Sequence, residues 1–289
     1  MPLRFAYNTN GTSNHRFDDA LELIADAGYD GVALTLDHHH FDPFAPDFTQ
    51  RADQLSAKLD RLKLGLVIET GARFLLDPRR KHEPTLLSPD PDGRARRVQF
   101  LKLAIDLAAA CRAEAVSFWA GVPRADVSPT LAFEFLRCGL IQISEYAERQ
   151  NVIVALEPEP GMLIETVADF RGLKTEFPVL KLALDTGHCL ASDEGEPDAA
   201  VREMQHELGT VAIEDMRRGV HEHLFFGEGE MNIGAILAAL GEINFQKLVC
   251  VELSRHSHCA DKTVPAAIKF LKETESQINN STLVNAISV

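Results

Sequence analysis

Eight short, nearly continuous apolar runs recur along the chain, and they constrain its fold more than any other feature. They cover residues 3–8, 31–36, 64–69, 115–119, 151–157, 180–185, 209–214 and 247–252. A strand with one wet face alternates apolar and polar residues; a strand buried on both faces of a parallel sheet reads as an unbroken run. Between the runs lie segments of helical pattern at 17–27, 49–61, 93–111, 129–150, 165–174, 197–206, 232–241 and 262–275. In 97–110, for example, Val98, Leu101, Ile105 and Ala108 recur at helical spacing. Asp18 and Asp19 suit the positive end of one helix, and Gly241 suits the stop of another.

Eight strands alternating with eight helices predict an α/β fold, a closed (β/α)8 TIM barrel. The 289 residues suit one such barrel, which needs about 250. The expected barrel spans 1–276. Residues 277–289 read as a C-terminal tail that either frays or docks Leu283, Val284 and Ile287 on a neighbour, a route to a homo-oligomer. An open doubly wound sheet is the alternative. It would carry a Gly-rich phosphate loop after its first strand, and NTNGTSNHRF is not one.

The formal charge of −14 and the lack of a Lys/Arg stripe argue against nucleic acid as a partner. The densest positive run, Arg79, Arg80, Lys81 and His82, reads either as a solvated loop or as an anion or substrate clamp. Five cysteines without a CxxC pair predict neither a disulfide framework nor a thiolate zinc site. No signal pattern opens the chain, and no apolar run approaches the roughly 18 residues of a membrane span. A cytoplasmic protein without membrane contact is the expectation.

Barrel sites form in the loops that follow the strands. Of the eleven histidines, all but His206 fall after expected strands, which predicts a functional upper face. Polar strand ends narrow this further. IVALEPEPG places Glu157 after an apolar run, LKLALDTGH places Asp185 with His188 three residues on, and LVCVELSRH places Glu252. A carboxylate turned into a barrel interior is costly unless paired or metal-bound. Three converging carboxylates would repel one another, and a divalent cation removes that penalty. Oxygen ligands with imidazole suit Mn, Mg, Zn, Co or Fe. After the seventh run, His221 and His223 are two apart, so both can face one ion in an extended segment. Blander roles stay open: Asp185 as a cap for the following turn, His188 as a loop histidine, each Glu as an ion-pair partner.

VALEPEPG, LALDTGH, EDMRRGVHEHLFFGEGE and VCVELSRH, in that order, resemble the xylose-isomerase-like barrel superfamily, and the similarity covers nearly the whole chain. The superfamily includes sugar epimerases, inosose dehydratases and isomerases, and type 2 apurinic endonucleases. In its epimerase branch one metal is held by a Glu, an Asp, a His and a Glu from the last four strands. The resemblance maps these onto Glu157, Asp185, a missing His at Ala212, and Glu252. The endonuclease branch adds a metal held by the His after the strand-six Asp and by an Asp-x-His pair. That pattern maps here onto His188, His221 and His223. The resemblance therefore implies one divalent metal, or two, held by Glu157, Asp185, His188, His221, His223 and Glu252. The endonuclease histidines after strands three and four have no counterpart in VIETGARFLL or SFWAG, which weighs against DNA repair.

The implied activity is isomerisation or epimerisation of a sugar or polyol derivative by proton transfer next to a carbonyl, with Glu157 and Glu252 as the acid–base pair. Dehydration or lysis of a keto-sugar or inosose, and non-catalytic metabolite binding, are the alternatives. Asn8, Asn10, Glu69, Arg73, Trp119 and Arg217 are candidate substrate contacts. Trp119 equally suits core packing, and Arg217 equally suits pairing with Glu214 or Asp215. Glu159 is a candidate partner for a ligand.

Overall fold

The computed structural model describes residues 2–287, with side chains through residue 280. Its first strand, β1 (Arg4–Asn8), is followed by helix α1 (Phe17–Ala27). Strands β2 (Gly31–Thr35), β3 (Gly65–Glu69) and β4 (Val116–Trp119) alternate with α2 (Phe48–Leu62) and α3 (Pro91–Cys111). Then come α4 (Pro129–Gln150), β5 (Val154–Glu157), α5 (Val167–Lys174) and β6 (Lys181–Asp185). Two short helices, α6 (Thr186–Ala191) and α7 (Pro197–Glu203), lead to β7 (Leu208–Ile213). A hairpin of β8 (Asp215–Arg217) and β9 (Val220–Leu224) precedes α8 (Ile233–Glu242), β10 (Leu248–Val251) and α9 (Ala260–Ile287).

Eight strands close in the order β1-β10-β7-β6-β5-β4-β3-β2, with β8-β9 as a separate pair. The barrel pairs are all parallel. The TIM barrel expected from the eight apolar runs is the fold. Three departures bear on the site. The segment after β7 is an antiparallel hairpin rather than a loop. DTGH turns at once into α6. Residues expected as a tail from 277 continue α9 to Ile287; the side chains of Leu283, Val284 and Ile287 lie outside the described residues.

Local signals start and stop the helices. Asp90 caps α3 with Pro91 in its first turn, and Ser128 caps α4 with Pro129 likewise. Thr166 and Asp169 form a capping box on α5. The apolar core lies mainly between the strands and the helices, around buried Phe5, Tyr7, Phe118, Leu182, Val211 and Val249. A second, small cluster of Ala6, Ala33, Val67, Leu248 and Cys250 packs apart from it. Two of its members, Val67 and Cys250, belong to an alternate-residue series that lines one cavity: Val67 and Glu69, Ala183 and Asp185, Thr210 and Ala212, Cys250 and Glu252. Strand parity thus turns the last residue of each series inward at the mouth. No described helix is long and apolar enough to cross a membrane.

Candidate metal and substrate site

A cavity of about 290 Å³ opens at the mouth, lined among others by Asn10, Glu69, Arg73, Trp119, Glu157, Glu159, His188, His221, His223 and Glu252. That is close to the small end of ligand pockets, about 300 Å³. Asn8, Asp185 and Ala212 line the space beneath it.

Asp185 is the pivot. It ends β6 and caps α6: Oδ1 accepts from the backbone N of Gly187 at 2.8 Å and of His188 at 3.2 Å. Its other oxygen, Oδ2, is buried without a hydrogen-bond partner. The capping role open in the sequence is therefore real, and it uses one oxygen only. The tight start of α6 also aims His188 inward. Its Nδ1 donates to the carbonyl of Pro158 at 3.0 Å, which leaves Nε2 as the lone-pair nitrogen, 3.5 Å from Asp185 Oδ2. Glu157 Oε1 and Glu159 Oε2 each lie 3.7 Å from His188 Nδ1.

The hairpin delivers the other two imidazoles. Asp185 pairs with Ala212 across the β6–β7 ladder, so the seventh barrel strand offers only a methyl group there. Two residues on, Glu214 is fully buried. Its Oε1 accepts from Gly187 N at 3.1 Å, while Oε2 has no hydrogen-bond partner and lies 3.9 Å from His223 Nδ1. A Cβ at position 187 would sit 2.1 Å from Glu214 Oε1, so the DTGH turn accepts only glycine beside this carboxylate. β9 runs back over the mouth and sets His221 Nε2 3.1 Å from His188 Nε2. Asp215 anchors the return, its two oxygens accepting from the backbone N of Gly227, Gly229 and Met231 at 2.8, 3.0 and 3.0 Å.

At this mouth, three groups offer ligand atoms within 4.8 Å of one another: Glu157, Asp185 and His188; Asp185, Glu214 and His223; His188, His221 and His223. Asp185, His188 and His223 each belong to two of the three. Asp185 Oδ2, Glu214 Oε2 and His223 Nδ1 are buried and unpartnered, as expected of a donor set shaped for a cation. Carboxylate oxygen with imidazole nitrogen is a donor set for a divalent metal.

Electrostatics record the same crowding. Burial, and then the charges of Glu159, Asp185, Glu252 and Glu69, push Glu157 well above the usual carboxylate range. Glu214 rises likewise through burial and Asp185. Glu69 is pushed up to about 7 by burial and then by Glu252. Burial works against a charged His223, yet the Glu214 carboxylate 3.9 Å from its Nδ1 and the charges of Glu252 and Asp185 raise it to about 10. Burial and the neighbouring His188 and His223 lower His221 to about 4.

Other residues singled out in the sequence are placed differently. Glu252 joins none of the three groups; it accepts from Asn10 Nδ2 at 2.8 Å, and its charge acts on Glu157 and His223. Asn8 is buried under the mouth, with Oδ1 accepting from Thr35 Oγ1 at 2.7 Å and from Asn10 N at 3.1 Å. Arg217 does not reach the pocket. It is exposed on β8, where Nη2 donates to the carbonyl of Glu228 at 3.1 Å, because β8 parity turns it outward. Two residues gain a place the sequence does not give them: Glu214, read there only as a pairing partner for Arg217, and His82, read there only within the run 79–82. Glu214 has a parity signal, since it follows inward Ala212 by two. The signal for His82 is the positive run 79–82, and the loop folds it back onto Trp119, ring centroids 5.5 Å apart.

A family profile described as xylose isomerase-like TIM barrel matches residues 21–274. A search of curated proteins finds no match. Among solved structures, a D-tagatose 3-epimerase-like protein superposes with a TM-score of 0.76 at 20% identity, over 97% of this chain and 100% of the other. An L-ribulose 3-epimerase gives 0.76 at 19% identity, over 98% of each chain. The IOLI protein with a binding zinc atom gives 0.72 at 19% identity, over 96% of this chain and 98% of the other.

Proposed function

The chain belongs to the xylose isomerase-like TIM barrel family, and on that premise we propose that it is a divalent-metal-dependent sugar isomerase or epimerase. The observation that carries this reading is the buried, unpartnered trio Asp185 Oδ2, Glu214 Oε2 and His223 Nδ1, set beside Glu157 and His188. Asp185, His188 and His223 would hold the ion, with Glu157, Glu214 and His221 at its flanks. His223, carried in by the hairpin, takes the part of the strand-seven histidine that Ala212 lacks. The zinc atom in one similar structure and the epimerases among the others support the reading. When bound, a divalent ion supplies polarisation of a substrate carbonyl and its neighbouring hydroxyl.

The chain's own residues move the proton. Glu157 on β5 and Glu252 after β10 line one pocket from strands three places apart around the barrel. A sugar carbon between them has a carboxyl group on each side. Glu252, steadied by Asn10, removes the proton beside the carbonyl, and Glu157 returns one from its own side. Return to the opposite face of the same carbon gives the epimer. Trp119, buried at the end of β4, and the polar rim from Asn10 and Glu69 enclose the substrate and limit water.

The test is solvent-deuterium exchange into a panel of ketoses and aldoses by protein purified without chelator. Glu252→Gln should slow exchange by about 10²–10⁴-fold with metal content unchanged. Unchanged exchange rejects the role of Glu252. Full exchange by metal-free protein rejects the metal, and a product lighter by water replaces isomerisation with elimination.

A further inference from the structure

The cations near the mouth fall into two kinds. Arg80 Nε lies 2.8 Å from Asp77 Oδ2, and Arg218 joins Asp193 and Glu196 at 2.8 and 2.7 Å. Arg73 and Lys81 line the pocket, and among the described residues neither side chain makes a hydrogen bond or ion pair. Glu69, which also lines the pocket and feels the charge of Arg73, turns Oε1 to the backbone N of Gly71 at 2.6 Å and makes no ion pair with Arg73. The sequence run 79–82 thus divides. Arg79 and Arg80 belong to the solvated loop; Lys81 and His82 belong to the pocket.

The placement of these two cations is built. Ala72 and Arg73 adopt left-handed backbone, with φ of 61° and 36°. For residues with a Cβ this backbone is strained, and such strain persists only where the surroundings hold it. His82 holds it. Its Nδ1 meets the carbonyl of Gly71 at 2.6 Å, and its backbone N donates to the carbonyl of Arg73. That second bond puts Lys81, the residue before His82, beside Arg73 across a closed clasp. The clasp rests on Trp119 through the His82 ring. Behind the indole, the Arg97 guanidinium lies 4.3 Å from the ring centroid and is fully buried. It donates to the carbonyl of Thr70 at 2.9 Å, and its Nε and Nη1 have no hydrogen-bond partner. Arg73 and Lys81 thus stand on the Glu69 wall of a pocket that Glu157 and Glu159 also line.

A neutral sugar would leave Arg73 and Lys81 as two cations lining one pocket without an ion-pair partner. We propose that the substrate carries an oxyanion group, a phosphate ester or a carboxylate, at the end remote from its reacting carbonyl, and that Arg73 and Lys81 bind it. This rests on the reading of the pocket as a sugar isomerase or epimerase site. Both oxyanions accept charge-assisted hydrogen bonds from guanidinium and ammonium.

The test is titration calorimetry on metal-containing protein with three probes: a neutral ketohexose, its terminal phosphate ester and a hexulosonic acid. At least one anion should bind about 10-fold or more tightly than the neutral sugar, and the tighter of the two identifies the group. The Arg73→Met/Lys81→Met double variant should lose that margin with its metal content retained. Lys81→Met alone, at an exposed position, should lose part of it. Anion binding no tighter than the neutral sugar, no binding of either anion, or a margin that survives the double variant overturns the proposal. Deuterium exchange run alongside separates the two readings. An anion held through Arg73 and Lys81 without exchange sinks the isomerase and keeps the clamp; exchange of a neutral sugar without anion preference does the reverse.

Discussion

The two ends of the barrel treat charge in opposite ways. At the lower end, where strands begin, charges are matched. Arg4 Nη1 lies 2.7 Å from Glu114 Oε1, and Glu114 Oε2 accepts from Leu248 N at 2.9 Å. Glu207 meets Lys174 at 2.7 Å and Lys181 at 3.1 Å. At the mouth, Asp185, Glu214 and His223 each keep a buried atom with no partner. The same chain can satisfy its charges and does so where only stability is at stake. Unmatched buried polar groups cost about 1–3 kcal/mol each, so their concentration at one end marks that end as the working one.

The comparison is broken most severely at its pivot. Asp185→Asn removes the charge shared by two of the ligand groups. Metal content should fall to a small fraction of wild type. Exchange should drop by about 1,000-fold or more, the kinetic equivalent of the several kcal/mol a bound ion contributes. Elemental analysis and deuterium exchange read both, and a variant that keeps its metal and its rate would remove Asp185 from the centre.

A pH experiment sharpens it. In metal-free protein, burial and Glu252 hold the Glu69 carboxyl at about 7, against an ordinary 4.5. Between those values the folded chain binds more protons than the unfolded one, so stability falls as pH rises through the window and the deficit persists above it. Glu69→Gln should therefore raise metal-free stability at pH 8 by on the order of 1–3 kcal/mol, with little change at pH 4.5. Urea melts at the two pH values decide; an equal shift at both would assign the gain to packing.

The smallest effect is expected at the other end. Glu114→Gln should cost about 1 kcal/mol or less, because the Arg4 pair is partly solvated, and leave exchange unaltered. A large loss of exchange from this change would mean that the two ends are not independent.

Much of this arrangement is legible in the chain and some is not. The barrel strands are local features: continuous apolar runs bounded by turns, each within a few residues of its observed limits. Inward parity follows from the same runs, so Glu157, Asp185 and Glu252 could be aimed at the mouth from spacing alone. The hairpin β8–β9 lacks that signal. Val220 to Leu224 alternates weakly, and its place depends on Asp215 binding three backbone N–H groups of the next turn. Arg217, a candidate both for substrate and for pairing with Glu214 or Asp215, instead donates to the carbonyl of Glu228, since the fold of the hairpin and not its sequence sets which face it takes.

What the sequence determined, then, is the cylinder and the acids its strands turn inward, since both depend on periodicity and a residue's own neighbours. What only the tertiary structure decided is which groups meet. Glu252 goes to Asn10 rather than into the ligand groups around Asp185, His223 reaches Asp185 from a hairpin, and His82 closes a clasp around Arg73. Those meetings join residues far apart in the chain through side-chain hydrogen bonds and steric limits such as Gly187 against Glu214. Such constraints exist only once the strands have closed and fixed the distances between them.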